Sequence, residues 1–107
     1  MNTDTNQEAA AKIAALNDEY RKGPRFTITP GVQGIEDFLG LIQAVREYKD
    51  FNDDNDPYGE HDFGVLYWYG AKIFWKIDYY DQMYETWHSP LSPDCNRVLT
   101  IMLAEEY

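Results

Sequence analysis

The sequence predicts an α+β fold: an antiparallel sheet of about four strands, centred on a hairpin over residues 63–80 and packed with two helices. Three observations carry this. Apolar residues recur at helical spacing in two segments, Ala9–Tyr20 and Ile35–Val45. The stretch FGVLYWYGAKIFWKIDYYD, residues 63–81, is aromatic and β-branched on both sides of Gly70. RVLTIML, residues 97–103, is rich in strand-favouring Val, Thr and Ile.

The first helix is predicted over residues 6–22. Thr5 and Glu8 have the spacing of a capping box, in which a hydroxyl and a carboxylate satisfy exposed N–H groups reciprocally. Ala9, Ile13, Leu16 and Tyr20 form its stripe, and Gly23-Pro24 stops it. Residues 1–5 are expected to fray. RFTIT, residues 25–29, alternates as a short strand that Pro30-Gly31 ends. A second helix is predicted over residues 33–49, with Ile35, Phe38, Leu39, Ile42 and Val45 inward. Gly40 weakens it by about 1 kcal/mol relative to Ala, a cost that suits close approach of another element.

The hairpin strands are expected over 63–69 and 72–80. Gly70 fits either a type I′ turn with Tyr69 or a II′ turn with Ala71. Leu66, Trp68, Ile73, Trp75 and Ile77 share the core face. Phe63, Val65, Tyr67, Tyr69, Phe74, Lys76, Asp78 and Tyr80 share the other, which mixes aromatic rings with charge. SPLSPD, residues 89–94, is a loop, and residues 97–103 form the last strand.

A chain of 107 residues is expected to be one domain, 1–107, and its 44% apolar content suffices for a core without disulfides. There is a single cysteine, Cys95, the first seven residues lack an export pattern, and no apolar run approaches membrane-spanning length. A cytoplasmic protein with no membrane partner is therefore expected. A net charge of −10 disfavours direct contact with nucleic acid, whose phosphates need clustered Lys and Arg, and favours a basic protein partner.

The charge concentrates in DFNDDNDPYGEHDFG, residues 50–64, where only His61 is able to carry a positive charge. An EF-hand frame starting at Asp50 puts Asn55 where glycine belongs and His61 where a bidentate Glu belongs; a frame starting at Asp53 puts Pro57 at a ligand position. Glu60, His61 and Asp62 are adjacent in sequence, whereas metal sites usually draw on separated ligands. His61 fits a turn residue bonded to nearby backbone or carboxylate. Cys95 follows Asp94, whose charge raises a thiol pKa, so a nucleophilic pair with His88 is disfavoured. No phosphate-cradling glycine loop is present. Neither catalytic residues, nor metal ligands, nor a cofactor are expected. Tyr67, Tyr69, Tyr79, Tyr80 and Tyr84 gather around the hairpin with Trp87, and such rings serve equally as interface contacts or as the rim of a core.

NDPYGEHDFG (residues 55–64), FWKIDYYD (74–81) and RVLTIMLAEEY (97–107), with TPGV at 29–32, resemble a domain-of-unknown-function family of small acidic bacterial proteins, often carried on plasmids and other mobile elements. The resemblance spans Arg25–Tyr107, leaves the first helix outside, and transfers no catalytic role. It implies a context in which inhibitors of host defence, of the anti-CRISPR or antirestriction type, are common. The expected function is a non-enzymatic acidic binding protein. It would present Asp53, Asp54, Asp56, Tyr58, Glu60, Asp62, Tyr67 and Tyr69 to a basic protein surface, such as a groove that holds nucleic acid. The alternative is a small metal-dependent hydrolase or nuclease-like enzyme built on the 50–62 loop. Carboxylates that converge on a pocket would favour the enzyme, and carboxylates spread over a surface would favour the binding protein.

Overall fold

A computed structural model describes residues 3–107, with side chains from Asn6 onward. In chain order it contains α1 (Thr3–Lys22), β1 (Thr27–Ile28), α2 (Pro30–Gln33), α3 (Phe38–Arg46), β2 (Phe63–Trp68), β3 (Ala71–Tyr80), β4 (Asn96–Leu103) and a 3-10 turn (Ala104–Glu106). The sheet order is β1-β4-β3-β2. The architecture is α+β, as expected.

The sheet is mixed rather than wholly antiparallel. β2–β3 and β3–β4 are antiparallel, but β1 pairs with β4 in parallel, Thr27 against Thr100 and Ile28 against Ile101. The chain leaves β1 at one edge, crosses the core face through α2 and α3, and enters the sheet again at the opposite edge as β2. β1 is shorter than the predicted 25–29 because Pro30, which lacks an N–H, opens α2 at its first turn.

The predicted helix over 33–49 is realised only as α3, residues 38–46; Gln33 is the last residue of the separate α2. Residues 34–37 separate the two, and Asp37, in the left-handed region at φ 51°, caps α3 by accepting from the Gly40 N–H at 3.2 Å. Starting α3 at Phe38 sets its inward face as Leu41, Ile42 and Val45, and Leu39 points to solvent at 79% exposure. Gly40 does admit a neighbour: a Cβ there would press on Trp68 and on Asp37. In α1 the helical backbone already runs from Thr3, so Thr5 lies within the helix and not at its cap; the Thr5 side chain is outside the described ones. The buried residues of α1 are Ile13, Ala14, Asn17 and Arg21, and Leu16 faces outward.

In the hairpin Tyr69 (φ 48°) and Gly70 (φ 84°) both take positive φ, which selects the type I′ turn. Trp68 then opposes Ala71, and Gly64 opposes Trp75. The core face holds Ile73, Trp75 and Ile77 from β3 with Leu99 and Ile101 from β4, all under the helices. Trp75 is fully buried, edge-on to Tyr48 and Phe51 with centroids 5.4 and 6.0 Å away. Its indole lies over Gly64, where no side chain fits.

Candidate functional site: the acidic loop and its end of the sheet

The loop between α3 and β2 is built by its own side chains. Asn52 Oδ1 accepts from the N–H groups of Asp54 and Asn55 at 2.9 and 3.0 Å, and Asn55 Oδ1 accepts from the Asn52 N–H at 3.1 Å. Asp56 Oδ1 accepts from the N–H groups of Glu60 and His61 at 3.0 and 3.1 Å. These are the local side-chain-to-backbone bonds that make Asn and Asp turn formers. Asp56 is therefore buried, an internal brace of the loop and not the surface charge the sequence suggested. Asp50, Asp53, Asp54 and Tyr58 are exposed.

Glu60, His61 and Asp62 turn to different partners. His61, at φ 57°, directs Nδ1 to the Asp18 carboxylate of α1 at 3.0 Å and lies flat on Phe51, centroids 3.8 Å apart. Asp62 Oδ2 accepts from the Tyr79 hydroxyl at 3.3 Å, and that hydroxyl accepts from the Asn17 side chain at 2.8 Å. Asn17, completely buried, also donates to the Glu60 carbonyl at 2.9 Å and accepts from Arg97 Nε at 2.6 Å, so one α1 residue ties the loop to β3 and β4. Burial raises the Asp62 pKa, opposed by the Tyr79 bond. Burial also raises that of Glu60, assisted by the nearby charges of Asp62 and Asp56. Among the described residues no three His, Cys, Asp or Glu side chains gather as metal ligands.

The residues expected to bind a partner fall into two places. Asp53, Asp54, Tyr58, Glu60 and Asp62 lie where β2 begins and β3 ends. Tyr67 and Tyr69, 68% and 63% exposed, stand at the other end of the six-residue β2, about 20 Å away at the rise of an extended strand. Tyr79 is core. The loop's own end of the sheet also carries a second, aromatic cluster. The connection from β3 to β4 exposes Met83, Tyr84, Trp87 and Leu91, and Asp62 and Trp87 line one shallow cleft with Tyr80. The clustering of Met83, Tyr84 and Trp87 after a strand was the available signal. What hid it was ignorance of which loops share an end of the sheet. The side of this connection toward the strands is fixed by Asp81, which accepts from the N–H groups of Met83 and Glu85 and from the Thr86 hydroxyl.

Fold and site together define a small α+β domain: a mixed sheet with helices on one face and, at one end, a self-braced acidic loop beside an exposed aromatic one. The chain belongs to the family described as "Protein of unknown function (DUF3768)", which matches residues 28–106. The match takes in β2, β3, β4 and both loops, includes Ile28 but not Thr27 of β1, and leaves α1 outside it. No curated protein and no solved structure matches the chain. No helix among the described residues is long and apolar enough to cross a membrane.

Proposed function

We propose that the protein is a non-enzymatic binding protein that meets a basic protein surface with the end of the sheet carrying the acidic loop and the β3–β4 connection. The observation that supports this best is the shared cleft of Asp62 and Trp87, which joins negative charge to exposed apolar rings. Trp, Tyr and Met are the side chains that anchor interfaces, and a charged surround sets encounter rate and orientation. In its specific form the partner is a host-defence protein whose basic groove holds nucleic acid, and this chain occupies that groove as an inhibitor of the anti-CRISPR or antirestriction type.

The test begins with capture from a lysate of the native host on the immobilised protein, followed by binding kinetics with the captured partner at two salt concentrations. Asp53→Asn with Asp54→Asn removes exposed charge and leaves Asp56, the brace, intact. It is expected to slow association and flatten the salt dependence. Trp87→Ala is expected to speed dissociation and keep the salt dependence. Tyr67→Ala, at the far end, is expected to change neither. Wild-type kinetics in both the Asp and the Trp87 variants would sink the reading.

A further inference from the structure

β3 keeps β4 along one edge to its last residue, Tyr80 against Asn96. Its other edge passes from one neighbour to a second. On the β2 side the last contact is Asp62, whose carbonyl accepts from the Ile77 N–H at 2.8 Å. Beyond it the returning segment 86–88 takes over. The His88 N–H donates to the Tyr79 carbonyl at 3.3 Å and the Asp81 N–H to the Thr86 carbonyl at 2.9 Å, on either side of a Tyr80–Trp87 bridge. Because those bonds flank the bridge, Tyr80 and Trp87 are a non-hydrogen-bonded pair, the kind in which side chains stand closest. Asp78, two residues before Tyr80, projects from the same face. Between Asp62 and Trp87 the edge is open, and the opening is the cleft of about 270 Å³ that they line with Asp78 and Tyr80.

The lining selects what the cleft is able to hold. Trp87 is 69% exposed, so most of its ring is free to be covered. Asp78 Oδ2 is held by Lys76 at 2.7 Å. Asp62 has no such cation: among the described residues no Lys, Arg or His forms an ion pair with it. The Tyr79 hydroxyl reaches Asp62 Oδ2 at 3.3 Å, long for an O–H donor, and a carboxylate has room for several donors more. Burial raises the Asp62 pKa against that bond, and the charges of Asp56 and Asp78 push the same way as burial. A cation in the cleft would offset all three. A metal ion lacks its ligands, since no three suitable side chains gather among the described residues. The guanidinium has what the cleft asks for: it is planar, weakly hydrated, drawn to aromatic faces, and carries its donors in a fork that matches a carboxylate. The volume is below the roughly 300–1,000 Å³ of pockets for whole small molecules and suits a single side chain.

We propose that this cleft takes one arginine side chain of the partner, its guanidinium donating to the Asp62 carboxylate and lying against Trp87 and Tyr80. The inference rests on the reading of this end of the sheet as the surface for a basic protein, and it names the group that the surface recognises. The exposed loop carboxylates Asp53 and Asp54 then act on the encounter, and the ring-covered arginine acts on dissociation and register.

The test needs no partner. Nα-acetylargininamide is titrated into isotope-labelled protein at constant ionic strength, beside the neutral isostere Nα-acetylcitrullinamide and the lysine analogue, and followed by NMR. Saturable shifts are expected at the Trp87 indole N–H and at the amides of Asp62, Asp78, Tyr79 and Tyr80, with Kd in the millimolar range. The lysine analogue should bind more weakly, and the citrulline compound should give no saturable shift. Asp62→Asn should melt no lower than wild type and bind the arginine compound at least about tenfold more weakly, or about 1.4 kcal/mol. Trp87→Ala, at an exposed position, should melt like wild type and lose at least about threefold. Glu19→Gln, which removes one exposed charge from α1, should bind as wild type. The proposal is overturned by no saturation at about 50 mM, by equal binding of the citrulline or the lysine compound, or by a loss in the Glu19 variant equal to that in the Asp62 variant. The reading of this surface as a protein interface fails separately: wild-type kinetics of the Asp53/Asp54 and Trp87 variants with the captured partner would remove it and leave the arginine titration unchanged.

Discussion

Gly64 shows how one missing side chain sets the core. A strand-interior glycine normally weakens a strand, but here its pleat position holds the Trp75 indole, and any Cβ would fall on that ring. Gly64→Ala must therefore displace a fully buried tryptophan that is also braced edge-on by Tyr48 and Phe51. The expected loss is about 1–3 kcal/mol, the usual range for overpacking, read as a lower urea midpoint with an unchanged slope. Asp62 offers a second test, through pH. Its pKa is raised in the fold, so folding favours its neutral form. That contribution is complete below the unfolded value, about 3.9, and is lost as pH rises through the higher folded value. At neutral pH the charged carboxylate is thus a cost. Asp62→Asn keeps an acceptor for the Tyr79 hydroxyl and should melt a few degrees higher than wild type at pH 7, with the gap closing toward pH 4. A gap that is constant across pH would show that the carboxylate's charge is not what the fold opposes.

At the scale of elements, the acidic loop is ordered by Asn and Asp side chains in two separable halves. Asn52 holds the Asp54 and Asn55 amides, and Asp56 holds those of Glu60 and His61. Asn52→Ala should cost about 1 kcal/mol, the net worth of an ordinary hydrogen bond. Its signature is local: amide exchange at Asp54 and Asn55 should accelerate while Glu60 and His61 keep their protection. Uniform acceleration would mean that the halves are coupled through something other than these bonds. The hairpin, its faces and the last strand were legible because period-2 patterning and a Tyr-Gly turn leave few alternatives. The parallel edge of β1 was not, since two residues carry no direction. The break between α2 and α3 was also hidden, because Ile35 and Phe38 continue a helical stripe across it and only the Asp37–Gly40 pairing marks a new cap. Of the candidate site, the loop's self-bracing was readable from its Asn and Asp content. The turning inward of Asp56 and the separation of Tyr67 and Tyr69 from the loop required the topology.

On the scale of the whole molecule, the unexpected part is α1. The family match begins at residue 28, after this helix has ended, and the helix has the polar composition of an appendage. Its inward face is nonetheless woven into everything else. Ile13 and Ala14 close the core, Asn17 bonds the Glu60 carbonyl, Tyr79 and Arg97, and Tyr20 donates to the Arg97 carbonyl at 2.8 Å. Arg21 caps α3 and lies over the Trp75 ring at 4.8 Å, and Asp18 holds His61. Removing residues 1–22 would uncover the sheet, strip the last carbonyls of α3 of their donor, and leave the Tyr79–Asp62 pair facing water. Lost hydrophobic cover and orphaned polar groups act in the same direction, and either alone rivals a large share of the 5–15 kcal/mol by which domains are stable. A chain starting at Gly23 is therefore expected to lose cooperative thermal unfolding and near-UV circular dichroism while retaining part of its far-UV signal, the behaviour of a collapsed state without fixed packing. Adding the 1–22 segment back as a separate peptide should restore some of the near-UV signal, since the contacts it makes are side-chain contacts and do not depend on the link at Gly23. If the shortened chain melts cooperatively near the wild-type temperature, residues 28–106 fold unaided and α1 is an accessory laid over a finished domain.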